Sequence, residues 1–128
     1  MNTIVKTDKA PLPVGTYNQG IITDSNKLLY TAGQIAIDPK TNEVIDGDVR
    51  DQTRLVLKNL REVLKAAGTE MSNMIKLTVF MVDLQHFNTV NEVFKEFFPN
   101  DPPARSAVEV SALPKGVDIE IEGIAAVP

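Results

Sequence analysis

Between Asp48 and Gly68 the residues that shun water return every three or four positions. Val49, Thr53, Val56, Leu57, Leu60, Val63, Leu64 and Ala67 fall on one stripe of a helix, and such a stripe must be covered. Asp48 predicts the N-cap, Asp51 adds negative charge to the first turn, and Gly68 predicts the C′ residue. Lys58 and Glu62 are expected to pair on the wet side.

The flanking segments read mostly as strands. Residues 1–13 look extended, Gly15 to Gly20 is turn-rich, and Ile21-Ile22 starts a strand. Asp24-Ser25-Asn26-Lys27 has the composition of a hairpin turn into a second strand, Leu28 to Ile37, interrupted at Ala32-Gly33-Gln34. Glycine inside a strand pattern marks a bulge or a close backbone approach. Asp38 to Asn42 is a turn and Glu43-Val44-Ile45 a short strand. Met74 to Val82 alternates, with Ile75, Leu77, Val79 and Met81 on one face and Lys76, Thr78, Phe80 and Val82 on the other. The second face is half apolar, and another subunit is the simplest cover for it. A second helix is expected from about Leu84 to Phe98, with Phe87, Val90, Phe94 and Phe97 as its stripe and Pro99 as its stop.

Pro102-Pro103 then hold the chain extended into a strand that begins with an arginine. Arg105, Ala107 and Glu109 share one side of it; Ser106, Val108 and Val110 share the other. After the Ala112–Gly116 loop, Val117, Ile119 and Ile121 alternate with Asp118, Glu120 and Glu122. The order is strands, helix, strand, helix, two strands, an α+β domain with two helices on one face of a sheet.

Composition narrows the chemistry. The 128 residues fit one domain, 1–128, with 43% hydrophobic and 23% charged residues. Net charge is −4 and the 13 basic residues are scattered, so no nucleic acid is expected as partner. There is no cysteine, which excludes disulfides, thiolate metal sites and cysteine nucleophiles. One histidine excludes a multi-histidine metal site. No apolar run approaches the roughly 20 residues of a membrane span, and the N-terminus lacks a signal peptide's apolar core, so a cytoplasmic location and no membrane partner are the defaults.

Arg105 is the sharpest functional candidate, standing at the first residues of a strand where a site can open. It is either a carboxylate clamp, each charged hydrogen bond being worth roughly 1.5–3 kcal/mol, or a surface arginine salt-bridged to Glu109 or Glu120. Glu120 either accepts a proton and orients a water, or belongs to a solvated strand face with Asp118 and Glu122. Tyr17 either serves binding from its glycine-bracketed loop or covers the core edge. His86 reads as a surface histidine, and Asp46, Asp48 and Asp51 as helix-start acids without calcium-loop spacing. No phosphate loop, dinucleotide fingerprint or serine elbow is present.

Taken together, Pro103-Ala104-Arg105-Ser106-Ala107-Val108-Glu109-Val110, Leu113-Pro114-Lys115 and Ile119-Glu120-Ile121-Glu122 resemble the signature of the RidA (YjgF) family of reactive-intermediate deaminases. Gly15-Thr16-Tyr17-Asn18-Gln19-Gly20 is similar to that family's Gly-Pro-Tyr-x-Gln-Gly loop, and Thr31-Ala32-Gly33-Gln34-Ile35 to its Thr-Ser-Gly-Gln-Ile strand. Phe80 to Leu84, with Phe87 and Val90-Asn91, fits its strand-to-helix junction. The resemblance covers the whole chain. It implies a chorismate-mutase-like α+β fold, a mixed sheet with two helices packed on one face. It also implies a homotrimer around a central β-barrel, with interfacial clefts. The implied activity is hydrolysis of 2-iminobutanoate, 2-iminopropanoate and 2-aminoacrylate, released by pyridoxal-phosphate enzymes, to 2-keto acids and ammonia, without a cofactor or metal of its own.

By the same resemblance Arg105 binds the substrate carboxylate, helped by the Ala107 backbone N–H. Glu120 holds or activates the attacking water. The Gly33 backbone contacts the amino group or that water. Tyr17, Phe87 and Asn88 wall the cleft, some of them from the neighbouring subunit. Three departures stand out: Ala107 replaces a frequent cysteine, Ala32 a serine, and Thr16 a proline, which is expected to loosen the Tyr17 loop. The rival functions are a trimeric, non-catalytic regulator binding small carboxylates in the Arg105 cleft, and an endoribonuclease or translation inhibitor, which the acidic pI of about 4.9 opposes.

Overall fold

The computed structural model describes residues 2–128 of the chain; of the stretch expected to be extended, Met1 lies outside them. The strands are β1 (Asn2–Val5), β2 (Gly20–Thr23), β3 (Leu28–Tyr30), β4 (Ile37–Asp38), β5 (Glu43–Val44), β6 (Met74–Met81), β7 (Ala104–Glu109) and β8 (Ile119–Ala126). The helices are α1 (Val49–Ala66) and α2 (Phe87–Phe97). The fold is α+β and chorismate-mutase-like: a mixed four-stranded sheet, ordered β3-β8-β6-β7, carries both helices on one face. β6 and β7 are parallel, joined through α2, while β8 runs antiparallel between β3 and β6. β1 pairs with β2 and β4 with β5 in two small ladders.

α1 starts where the sequence places it. Asp48 and Asp51 form a reciprocal capping box, the Asp51 N–H donating to Asp48 Oδ1 at 3.0 Å. Gly68 takes φ +82°, the left-handed conformation that a C′ residue needs. Val56, Leu57, Leu60 and Leu64 of α1 and Val90, Val93 and Phe94 of α2 are buried against Leu77, Val79, Met81, Ile119 and Ile121 of the sheet. Gln52 is buried on the same helix face: its amide donates to Asp118 Oδ2 and its carbonyl oxygen accepts from the Asp118 N–H, both at 2.9 Å. Asp118 is thereby tied to α1 and does not extend the acidic face of β8.

Several local expectations give way to tertiary packing. Asp24 to Lys27 does not close a hairpin, because β2 pairs with β1 and β3 with β8. The turn is instead anchored to the chain's end, with Ser25 Oγ 3.0 Å from the Val127 carbonyl oxygen and the Val127 N–H on the Lys27 carbonyl. The strand expected from Leu28 to Ile37 survives as β3, a bridge at Gln34 and β4. In β6 the register shifts between Met74 and Lys76, so Met74 takes the buried place expected of Ile75. Residues 84–86 form a 3₁₀ turn, with the Gln85 N–H donating to Asp83 Oδ1 at 2.9 Å, before α2 begins at Phe87. On the outer side of α1, Lys65 pairs with Glu62 at 3.1 Å, a partner three residues away where Lys58 was expected.

Among the described residues no helix covers the second sheet face. Tyr30 and Ile124, Lys76 and Thr78, Phe80, Ser106 and Val108, and Glu120 and Glu122 occupy it by register. Tyr30 is 68% exposed and Val108 40%.

Candidate functional site

Arg105 enters at the rim because Pro102-Pro103 deliver an extended chain to β7, and the loop before β2 is fastened there. The Asn18 N–H donates to the Pro103 carbonyl at 3.1 Å, and the Asn18 amide to the Pro102 carbonyl at 2.6 Å. These bonds set Tyr17 beside the start of β7. The Arg105 guanidinium carbon lies 5.1 Å from the ring centres of Tyr17, Phe87 and Phe94 alike. Its Nη1 donates to Asn91 Oδ1 at 2.6 Å. Among the described residues no carboxylate pairs with it, so the salt-bridge reading with Glu109 or Glu120 does not hold. Glu109 instead accepts from the Leu84 N–H at 3.0 Å. Burial pushes the Arg105 guanidinium below its ordinary value, with Coulombic attraction to the Tyr17 phenol opposing that shift. Arginine stays charged nonetheless, so a half-buried cation stands among aromatic faces with no carboxylate partner among the described residues.

Glu120 belongs to a different place. β6 pairs Leu77 with Arg105 and Phe80 with Glu120. Paired residues share a face and successive residues alternate, so Arg105 points to the helix side and Glu120 to the open side. Gly33 accompanies Glu120: Gln34 bridges Ile121, and a Cβ on Gly33 would stand 2.8 Å from the Glu120 carboxyl carbon. The glycine in the interrupted strand is therefore a close backbone approach.

The structure thus brings together Arg105, Tyr17 and Phe87 in one cluster, and Gly33 with Glu120 in another. Ala107 follows Arg105 on the same face of β7, the edge strand. Asn88 is exposed and lines a groove of about 650 Å³ with Gly15, Thr16, Asn91, Lys95 and Pro102. A second groove of about 540 Å³ runs from Gly33 to Asn59 and Val63 beneath the β4–β5 ladder. Neither is lined by both Arg105 and Glu120. His86 is exposed, 3.9 Å from Asp83. Among the described residues no group of three metal-ligating side chains occurs and no helix is long and apolar enough to cross a membrane.

Two members of the arginine cluster escape a reading of the sequence. Phe94 reads as core, and it is core, yet one face of its ring also meets Arg105. Asn91 carries the only legible signal, a polar residue next to Val90 on the buried stripe of α2.

The expected loosening of the Tyr17 loop by Thr16 is not what the structure shows. Thr16 is 8% exposed; its N–H donates to Asn91 Oδ1 at 3.2 Å and its hydroxyl to the Asn91 carbonyl oxygen at 3.1 Å. A proline could make neither bond.

Comparison with known proteins agrees with this architecture. The chain is 50% identical over 125 residues to a RutC family protein of Pyrococcus horikoshii, covering 98% of each. It is 43% identical over 122 residues to the human 2-iminobutanoate/2-iminopropanoate deaminase, covering 95% of this chain and 88% of that one. Among solved structures it resembles E. coli TdcF with bound serine, at 43% identity and a TM-score of 0.75 over 98% of this chain and 99% of that one. The family model described as Endoribonuclease L-PSP matches residues 7–127, and the chain belongs to that family, the RidA/YjgF proteins.

Proposed function

We propose that the protein is a 2-iminobutanoate/2-iminopropanoate deaminase, working as a homotrimer whose sites lie between subunits. The observation that carries this reading is the Arg105 cation, enclosed by the rings of Tyr17, Phe87 and Phe94 and paired with no carboxylate among the described residues. Identity with the human deaminase supports the substrate class. The separation of Arg105 and Glu120 onto opposite faces supports the assembly, because one chain alone cannot close both around a small molecule. The half-apolar open face is the surface a neighbouring copy would cover.

In this reading Arg105 grips the carboxylate through Nε and Nη2, and the Ala107 backbone N–H adds a further bond. Tyr17, Phe87 and Asn88 wall the cleft. The neighbour's Gly33 and Glu120 face the imine carbon. Glu120 takes a proton from water as its oxygen bonds to that carbon, and the C=N electron pair moves to nitrogen, which is protonated. Glu120, having returned its first proton to the nitrogen, takes the carbinolamine hydroxyl proton and passes it to the amine as the C–N bond breaks, so that ammonia leaves the 2-keto acid. The imine is already electrophilic, so orientation, one water and placed charge suffice.

A coupled assay tests this. Threonine dehydratase generates 2-iminobutanoate beside an amine that traps it before water does. Keto-acid formation with the wild type should outrun the trap, and Arg105→Ala and Glu120→Ala should each fall to the protein-free rate. A wild type equal to the blank while the dehydratase works would sink the deaminase reading. A carboxylate-binding role for the same cleft would then take its place. The bound serine in E. coli TdcF favours that as the second reading.

A further inference from the structure

Asn91 is a buried polar residue that the deaminase reading does not use. It is 8% exposed and sits on α2 three residues before Phe94. Its Oδ1 accepts from Arg105 Nη1 at 2.6 Å and from the Thr16 N–H at 3.2 Å, and its backbone oxygen accepts from the Thr16 hydroxyl at 3.1 Å. We propose that Asn91 is a positioning residue: it aims the Arg105 guanidinium at the ligand carboxylate and couples that aim to the Tyr17 loop through Thr16. The inference rests on reading Arg105 as the carboxylate anchor.

The physical case concerns what each neighbour can control. Three aromatic faces at 5.1 Å attract the cation but do not fix the rotation of its plane. A hydrogen bond to one Nη does, because the guanidinium fork is rigid. The acceptor is also neutral. An amide oxygen occupies one donor and leaves the positive charge for the ligand, whereas a carboxylate there would form an internal ion pair competing with the ligand. The surroundings are shaped for the contact. A Cβ on Gly15 would stand 2.9 Å from the Asn91 amide atoms and 3.0 Å from Arg105 Nη2, so a bare residue there lets the three meet. Thr16 supplies an N–H that a proline at this place would lack, so the coupling depends on the residue this chain carries there.

The test uses the full chain and 2-oxobutyrate as probe, titrated by NMR. Asn91→Ala should weaken binding roughly tenfold in the wild-type background and change it by less than about twofold in an Arg105→Ala background. Asn91→Asp, which keeps size and acceptor, should also weaken binding roughly tenfold, through charge. Nitrogen-detected guanidinium spectra supply a readout that a purely structural role would not move. The two Nη groups of Arg105 should be distinct in the wild type and averaged in Asn91→Ala, with Arg50, Arg54 and Arg61 unchanged. Should Asn91→Ala not fold, Asn91→Asp decides by its affinity. Binding by Asn91→Asp within about twofold of the wild type, or an equal loss from Asn91→Ala in both backgrounds, overturns the proposal. A wild type that binds 2-oxobutyrate yet hydrolyses no imine sinks the deaminase reading and leaves this one standing. A wild type that binds none sinks both.

Discussion

Glycine at position 33 matters for what it lacks. Glu120 packs its carboxyl group into the space a Cβ would fill, 2.8 Å from the carboxyl carbon, and the displacement falls on the group proposed to hold water. Gly33→Ala should therefore lower imine hydrolysis by roughly tenfold to a hundredfold, because misplacing a reacting group by about 1 Å has that effect. Steady-state rates beside a thermal melt check it: a large rate loss with a small midpoint change is expected, and an unchanged rate would mean Glu120 does not act from its present position. Thr16 teaches the complementary lesson. Its side chain alone argues for a looser loop than proline makes, yet in place it donates twice to Asn91. Propensity at one residue is a weak guide where a tertiary partner waits.

Among the elements, α1 owes its start to the Asp48–Asp51 box, and it carries the clamp that holds Asp118 at the entry to β8. Asp48 lies below the ordinary carboxylate range chiefly because it accepts the Asp51 backbone N–H. A depressed folded-state value means stabilisation present above the unfolded value and lost as pH falls through the folded one. Asp48→Ala should lower the thermal midpoint at pH 7. The gap to wild type should close as pH falls below about 4, where the unfolded-state carboxylate begins to protonate. Melting curves across that range decide it, and a gap constant down to low pH would remove the charged cap as its cause. Both helices and this cap were legible in the sequence, since periodicity and capping are local. The missing hairpin was not: Asp24 to Lys27 has turn composition, but whether β2 pairs with β3 depends on strands a hundred residues away.

At the scale of the molecule, the sheet divides the proposed chemistry. Arg105 lies on the helix side of β7 and Glu120 on the open side of β8, with β6 between them. On the proposed reading a complete site needs two copies, each lending one half. Equal mixing of dissociated and reassembled Arg105→Ala and Glu120→Ala proteins should recover roughly a quarter of wild-type activity, because random assembly restores both halves at one interface in four. Neither variant alone should show any. Recovery of none would place both residues' action within a single chain.

The order of sequence events determined by itself the two amphipathic helices, the first helix's cap, the α+β class and the candidacy of Arg105. These follow from local sterics, hydrophobic period and side-chain chemistry, all written in neighbouring residues. Only the tertiary structure decided that β7 lies parallel to β6 and β8 antiparallel beside it. That pairing assigns Arg105 and Glu120 to opposite faces, because a sheet's alternation is local while its register is not. It decided likewise that Asn91, an amide on an apolar stripe, meets the arginine: hydrogen bonds between residues 14 apart along the chain exist only once the fold has brought them together.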